Sequence, residues 1–291
     1  MSNIDLRPLS LGEILDRTFS LYRNNFLLFI GITAIPQLLI LSLHLAQLFL
    51  FGYVGTTRVD PTRAALSGDM IFVAVLAGLL GFVAYIGAYL FAQGGTVFAV
   101  SDLYLGRTTT IGQSLGRMRG EALSLFGVTL LNGIAIGGAT LLLIIPGIWL
   151  ACRLIVCVPA ALLENLGPAD SLGRSFELTD DSAGRSFVIY LIYFVVAIIA
   201  GAIFNYPFSF MVALSSLRHP EALRMWVAFA QIGQSVAEVV ATPILLIATA
   251  IFYYDLRVRK EAFDLQFMLN PNAAAPSTPG ASPSGVPSMF S

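Results

Sequence analysis

Long stretches without a charged residue dominate this chain and decide what it can fold into. Uncharged apolar runs occupy about 26–52, 70–101, 122–145, 148–164, 187–213 and 225–254. A helix needs roughly 20 apolar residues to cross a hydrocarbon core, and most of these runs meet or exceed that length. Runs longer than about 25 residues imply tilt, kinks or ends that protrude into the headgroup layer. The composition agrees: 57% of residues are hydrophobic and 11% charged, against roughly 25% charged in a soluble domain. Sixteen Lys and Arg stand against seventeen Asp and Glu, so no basic field invites a nucleic-acid backbone. Nucleic acid is excluded as a partner on this ground.

Prolines punctuate the runs. Pro36, Pro159, Pro207 and Pro243 each fall inside one and each removes a backbone donor. In lipid such breaks survive only where neighbouring helices or side chains satisfy the freed carbonyls, which predicts a packed bundle. Pro146-Gly147 is expected to be a tight turn that splits one apolar stretch into two spans. Small residues four apart (Gly133 and Gly137, Ala77 and Gly81, Ala84 and Ala88, Ala197 and Gly201) permit close helix contacts.

Basic residues beside each run predict orientation. Segments 1–25, 102–121, 165–186 and the C-terminal segment together hold eleven Lys and Arg, whereas the alternate connections hold four: Arg58, Arg63, Arg218 and Arg224. Arg153 falls inside a run. Six helices in the cell membrane with both termini cytoplasmic is the consistent arrangement. Phe252-Tyr253-Tyr254 before Asp255 reads as an interfacial belt. Asp5, Arg7, Glu13, Asp16, Arg17 and Arg23 precede the first run, unlike a secretory signal, so residues 1–25 are expected to remain in the mature protein.

A short pattern recurs ahead of each pair of spans: Ser10-Leu-Gly-Glu-Ile-Leu-Asp-Arg17, Thr110-Ile-Gly-Gln-Ser-Leu-Gly-Arg117 and Gly167-Pro-Ala-Asp-Ser-Leu-Gly-Arg174. Each has the chemistry of a helix start. Ser10 with Glu13 and Thr110 with Gln113 form capping boxes, Leu9 and Ile14 a hydrophobic staple, and Pro168 takes the first helical position with Asp170 near the positive end. Leu11, Ile14, Leu15, Phe19, Tyr22 and Phe26 then recur at helical spacing, a stripe suited to the interface plane. The predicted architecture is an all-α, polytopic membrane helical bundle. Its six transmembrane helices form three pseudo-repeats of an amphipathic in-plane helix plus a transmembrane hairpin, over residues 1–270. Residues 271–291, rich in Pro, Ala and Ser, read as a disordered cytoplasmic tail.

The opening Leu6-Arg-Pro-Leu-Ser-Leu-Gly-Glu-Ile-Leu-Asp-Arg-Thr-Phe-Ser-Leu-Tyr-Arg-Asn-Asn-Phe26 resembles the bacterial glycerophosphoryl diester phosphodiesterase membrane domain family. So do Ile145-Pro-Gly-Ile148 leading to Arg153, Pro159 through Glu164, Ser171-Leu-Gly-Arg-Ser-Phe-Glu-Leu178, and Tyr253-Tyr-Asp-Leu-Arg-Val-Arg-Lys-Glu-Ala-Phe-Asp-Leu265. The resemblance implies a six-helix membrane module of uncharacterised activity, found alone or fused to a soluble phosphodiesterase domain. These 291 residues hold no second segment of the roughly 250 residues such a barrel needs, so the enzymatic name is not carried over.

Chemistry-bearing residues are few. A metal-dependent phosphodiesterase needs His groups among carboxylates, whereas His44 sits in the first run and His219 in a connection, neither near an acidic cluster. Cys152 and Cys157, five apart, are expected on different faces of one helix as small buried hydrophobes. Neither an enzymatic site nor a cofactor is expected. Arg153 and Glu238 are the ionisable residues within runs, and intramembrane charges are candidates for function. At about 1.5 Å per residue, Arg153 would lie roughly 16 Å from the interface at Glu164 and Glu238 about 25 Å from that at Asp255. Arg153 either pairs with Glu238 or meets a substrate or lipid headgroup. Gln231, Gln234, Ser235 and Glu238 share one helix face, as a polar lining or an outer interfacial turn would. Arg17, Arg117, Arg174, Glu164 and Asp170 could form a cytoplasmic ring of ion pairs locking the repeats, or bind phosphate at helix starts. Arg257-Val-Arg-Lys260 reads as a topology anchor. The expected role is a scaffold or regulatory membrane module, with membrane lipids and a membrane protein or second copy as partners. The rival is a small transporter or lipid-handling protein with a polar path through Arg153 and Glu238.

Overall fold

The computed structural model describes residues 7–51 and 68–261, which contain ten α-helices. They are α1 (Leu11–Asn24), α2 (Phe26–Phe51), α3 (Gly68–Tyr104), α4 (Ile111–Leu142), α5 (Ile144–Arg153), α6 (Cys157–Glu164), α7 (Pro168–Leu178), α8 (Ala183–Phe204), α9 (Tyr206–Arg218) and α10 (Leu223–Glu261). Six stretches are long and apolar enough to cross a membrane, the fourth assembled from α5 and α6. The expectations for Arg58, Arg63 and the 271–291 tail lie outside the described residues.

The helix starts form as their residues dictate. The Ser10 side chain caps the Glu13 N–H while Glu13 Oε2 accepts from the Ser10 N–H at 2.7 Å. Thr110 and Gln113 repeat the exchange, and Pro168 opens α7 after Gly167 with Asp170 in its first turn. Leu9 and Ile14 are both fully buried in one cluster. After Ser10 and after Gly167 the amphipathic helices, α1 and α7, are set apart from the helix that follows. After Thr110 the corresponding residues are the first turns of α4, which runs on unbroken.

Breaks follow the prolines, though not where the sequence suggests. The turn expected at Pro146-Gly147 falls at Leu143, whose backbone is extended (φ −158°, ψ 142°). A proline ring clashes with the carbonyl four residues back, here Leu142, the last residue of α4, so the chain stops before Pro146 reaches it. Gly147 instead lets α5 close on α4, because a Cβ there would collide with Thr140. Pro159 is likewise the third residue of α6 and the chain bends through Leu154–Val156 ahead of it. The fifth run, read as continuous over 187–213, is interrupted at Asn205, with Pro207 the second residue of α9. Asn205 Nδ2 donates to the Ala230 carbonyl at 3.0 Å and ties this break to α10. Pro36 and Pro243 stay inside continuous helices. The carbonyl freed by Pro243 belongs to Val239, and it accepts from Thr33 Oγ1 of α2 at 3.3 Å. Cys152 and Cys157, expected on one helix, lie on α5 and α6, both buried thiols.

α10 is the axis of the bundle. It packs against α1, α2, α3, α8 and α9, and the main apolar cluster gathers Ile14, Phe29, Val100, Val156, Leu178 and Ile189 around Ile244–Val258. The N-terminal segment and α1 run antiparallel to α10, from Leu9, whose N–H donates to Asp255, to Tyr22, whose hydroxyl donates to the Val240 carbonyl. A second cluster joins α3, α4 and α6 through Leu90, Phe98, Met118, Leu125 and Cys157. The outer surface is inverted relative to a water-soluble fold: Leu141 at the α4–α5 tip is 90% exposed and Ile145 81%. Apolar area of that extent in contact with water would be unsustainable, and lipid is its natural solvent.

Candidate functional site

Polar side chains collect at two places along α10. One is the end where both ends of the described chain meet, and its centre is Asp255. This carboxylate is fully buried and surrounded by donors: the Leu9 N–H at 2.6 Å, an Arg185 guanidinium nitrogen at 2.8 Å and Arg259 Nε at 3.0 Å. The two arginines also donate to the Leu9 carbonyl, at 2.9 and 2.5 Å. One carboxylate thereby fastens the N-terminal segment, the start of α8 and the end of α10. Sequence reasoning did not single out Asp255. Its signal was an acid in the ending motif two residues before an arginine, but its partners lie 246 and 70 residues upstream.

Beside it Glu164 receives Arg174 Nε at 2.8 Å and the Tyr253 hydroxyl at 2.8 Å, with Arg257 Nε at 3.9 Å. Glu261 bonds Arg174 and Arg257. Burial alone would lower the pKa of Arg174, but the Glu164 and Glu261 carboxylates outweigh it and raise the value above that of a free guanidinium. A third group joins Arg17, whose guanidinium donates to Tyr104 Oη at 3.1 Å, to Tyr104 stacked on Tyr254 and Tyr254 bonded to Ser101. A fourth pairs Arg117 with Asp102 at 3.0 Å, over the Phe98 ring.

The expected ring of Arg17, Arg117, Arg174, Glu164 and Asp170 is therefore divided. Arg174 and Glu164 meet, Arg117 and Arg17 go to separate partners, and Asp170 is exposed with no ion pair among the described residues. The reason is that α3 and α10, which the sequence offered only as spans, supply the partners Asp102, Tyr104 and Glu261. The aromatic belt expected at Phe252-Tyr253-Tyr254 is also corrected. All three are buried within the bundle, because Tyr253 and Tyr254 use their hydroxyls to reach Glu164 and Ser101.

Arg153 and Glu238 are not brought together. Arg153 pairs with Asp180 at 3.1 Å, in the connection between α7 and α8, with its guanidinium near the Trp149 and Phe176 rings. Its carbonyl accepts from Ser175 and Thr179. The expected depth fails because it assumed one straight helix. Arg174 holds Glu164 while its neighbour Ser175 holds Arg153, so both ends of the 153–164 segment sit against the same turn of α7.

Glu238 belongs to the second polar place, on the other half of α10 facing α2. Its Oε2 accepts from Gln37 Nε2 at 2.7 Å and its Oε1 from Gln234 Nε2 at 2.7 Å, with Ser235 Oγ 3.4 Å from the Gln37 amide. Gln231 is half-buried one turn earlier. Gln37 was missed by the sequence reasoning, as a lone amide in an apolar run. His44 is exposed on α2 and His219 lies 3.2 Å from Glu221. Among the described residues no three His, Cys, Asp or Glu side chains converge as a metal site would require.

No protein-family model matches the chain, and no curated protein or solved structure matches it.

Proposed function

We propose that this multi-pass membrane protein is a non-catalytic scaffold or regulatory module, held in the cell membrane with both termini cytoplasmic. The observation that carries the reading is the centre of the bundle: α10 from Ile244 to Leu256 is almost wholly buried and apolar, and its charged end is neutralised by partners from within the chain. Such a centre gives rigidity, and the described residues place no chain of polar side chains along it. The excess of arginines at the end where Leu9 meets Asp255 supports the orientation. The resemblance to the glycerophosphoryl diester phosphodiesterase membrane domain supports a place near envelope-lipid metabolism. Its partners on this reading are membrane lipids and a second membrane protein or a second copy of the chain.

One observation favours the rival, a small transporter or lipid-handling protein. Glu238 is a carboxylate held by neutral amides at the α2–α10 seam, as a site for a transported cation would be. Co-purification in mild detergent, with mass spectrometry of retained proteins and lipids, separates the two. A stoichiometric protein partner kept by wild type, Arg153→Ala and Glu238→Gln alike is the expected result. Loss of one defined lipid or solute from either variant, with the fold intact, overturns the scaffold reading.

A further inference from the structure

The first and second helix starts share more than their caps. Arg7 stands three residues before Ser10 and Arg107 three residues before Thr110. The third helical position is Glu13 in the first and Gln113 in the second. In the first, the Glu13 carboxylate completes the capping box and also takes Arg7, at 2.5 Å. In the second, Gln113 Oε1 completes the box by accepting from the Thr110 N–H at 3.0 Å, but an amide has no charge with which to close the arginine. Among the described residues the Arg107 guanidinium makes no ion pair.

Where the first helix start has that ion pair, the second has a cavity. It measures about 520 Å³, opens to the surface and is lined by Asp102, Arg107, Thr108, Gln113 and Arg117. Gly112 contributes a bare wall, since a Cβ there would meet nothing within 4 Å. Asp102 is already neutralised by Arg117 at 3.0 Å, so Arg107 leaves the cavity with one uncompensated positive charge. The other polar groups facing it are the Gln113 amide N–H bonds, which donate, and the Thr108 hydroxyl, which can turn its O–H toward an anion. An open depression with net positive charge, hydrogen-bond donors and its one carboxylate occupied suits an oxyanion at the surface and repels a cation.

We propose that this cavity binds a phosphate group, as the headgroup of an anionic phospholipid at the membrane face or as free phosphate. Arg107 supplies the charge and a forked pair of donors, and Gln113 and Thr108 orient the remaining oxygens. The neutral residue at the third helical position is what keeps the site open.

Gln113→Glu tests this without disturbing the fold, because glutamate caps as well as glutamine, as Glu13 does at the first helix start. Arg107→Gln is the second variant. Inorganic phosphate is titrated calorimetrically into detergent-purified protein, with chloride as control. In parallel, bilayer discs of phosphatidylcholine with and without phosphatidylglycerol are reconstituted and lipid retention read by native mass spectrometry. Saturable phosphate binding that weakens at least tenfold in both variants, at unchanged melting temperature, supports a site open to free phosphate. Retention of phosphatidylglycerol over phosphatidylcholine that both variants lose, without binding of free phosphate, supports the headgroup. Absence of both, or binding equal in wild type and variants, overturns the proposal.

Discussion

The two polar places along α10 solve the same problem differently. At the end where Leu9 meets α10, Asp255 is closed by two arginines and a backbone N–H, and Glu164 and Glu261 share Arg174 and Arg257. On the other half Glu238 is closed by two carboxamides and no cation among the described residues. Apolar packing holds both halves but is indifferent to which helix lies where, whereas an ion pair between distant segments has one correct solution. The charged end therefore fixes how the N-terminal segment, α7, α8 and α10 are arranged, and the amide-held end leaves the parts of α2, α8 and α9 beside it to be shaped by packing and lipid. Buried polar groups acting as registers of this kind are documented in other folds.

The comparison predicts a steep gradient of sensitivity. Asp255→Asn is expected to cost about 3 kcal/mol, the low side of a broken buried pair because Arg185 and Arg259 keep some solvent contact; denaturation midpoints in mild detergent measure it. Gly233→Ala comes next. An added Cβ there would collide with the Phe204 carbonyl, backbone that cannot rotate away, and overpacking of this sort costs about 1–3 kcal/mol. That loss should appear as weakened α8–α10 crosslinking while the Leu9–Asp255 end stays protected from proteolysis. Glu238→Gln keeps an acceptor and is expected to cost under about 1 kcal/mol. A loss equal to that of Asp255→Asn would erase the contrast between the two halves.

The smallest effect is a pH dependence at the charged end. The Ser10 backbone N–H and Arg7 hold the Glu13 carboxyl down at about 2. A depressed carboxyl pKa stabilises the fold fully above its ordinary value of 4.5 and loses that contribution as pH falls from there towards 2. Protection of the Ser10 amide from exchange, taken relative to the intrinsic rate at each pH, should hold to about pH 4 and fall below it, whereas the protection of the Thr110 amide, capped by neutral Gln113, should stay constant.

What the sequence made legible was local. Both capping boxes, Pro168 at the start of α7 and the six apolar stretches follow from residues a few positions apart. The partners of Asp255 could not be read, because Leu9 and Arg185 come to it only through the packing of α1 and α8 on α10. The depth of Arg153 was misjudged because a rise of 1.5 Å per residue accumulates only along an unbroken helix, and Pro159 breaks this one. Phe252-Tyr253-Tyr254 misled because tyrosine suits an interface and a buried hydrogen bond equally, and only the positions of Glu164 and Ser101 distinguish them.

The bond from Leu9 to Asp255 also bears on how the chain is made. Translation supplies about 5–20 residues per second, so the amide of Leu9 waits roughly 10–50 s for an acceptor synthesised 246 residues later. Through that interval α1 has only its own local chemistry to keep its shape: the Ser10–Glu13 exchange and the Arg7–Glu13 pair, complete as soon as the first turn leaves the ribosome. The nascent bundle stays open on the side α10 will occupy until that helix enters, so closure of the fold waits on the helix that also forms its axis.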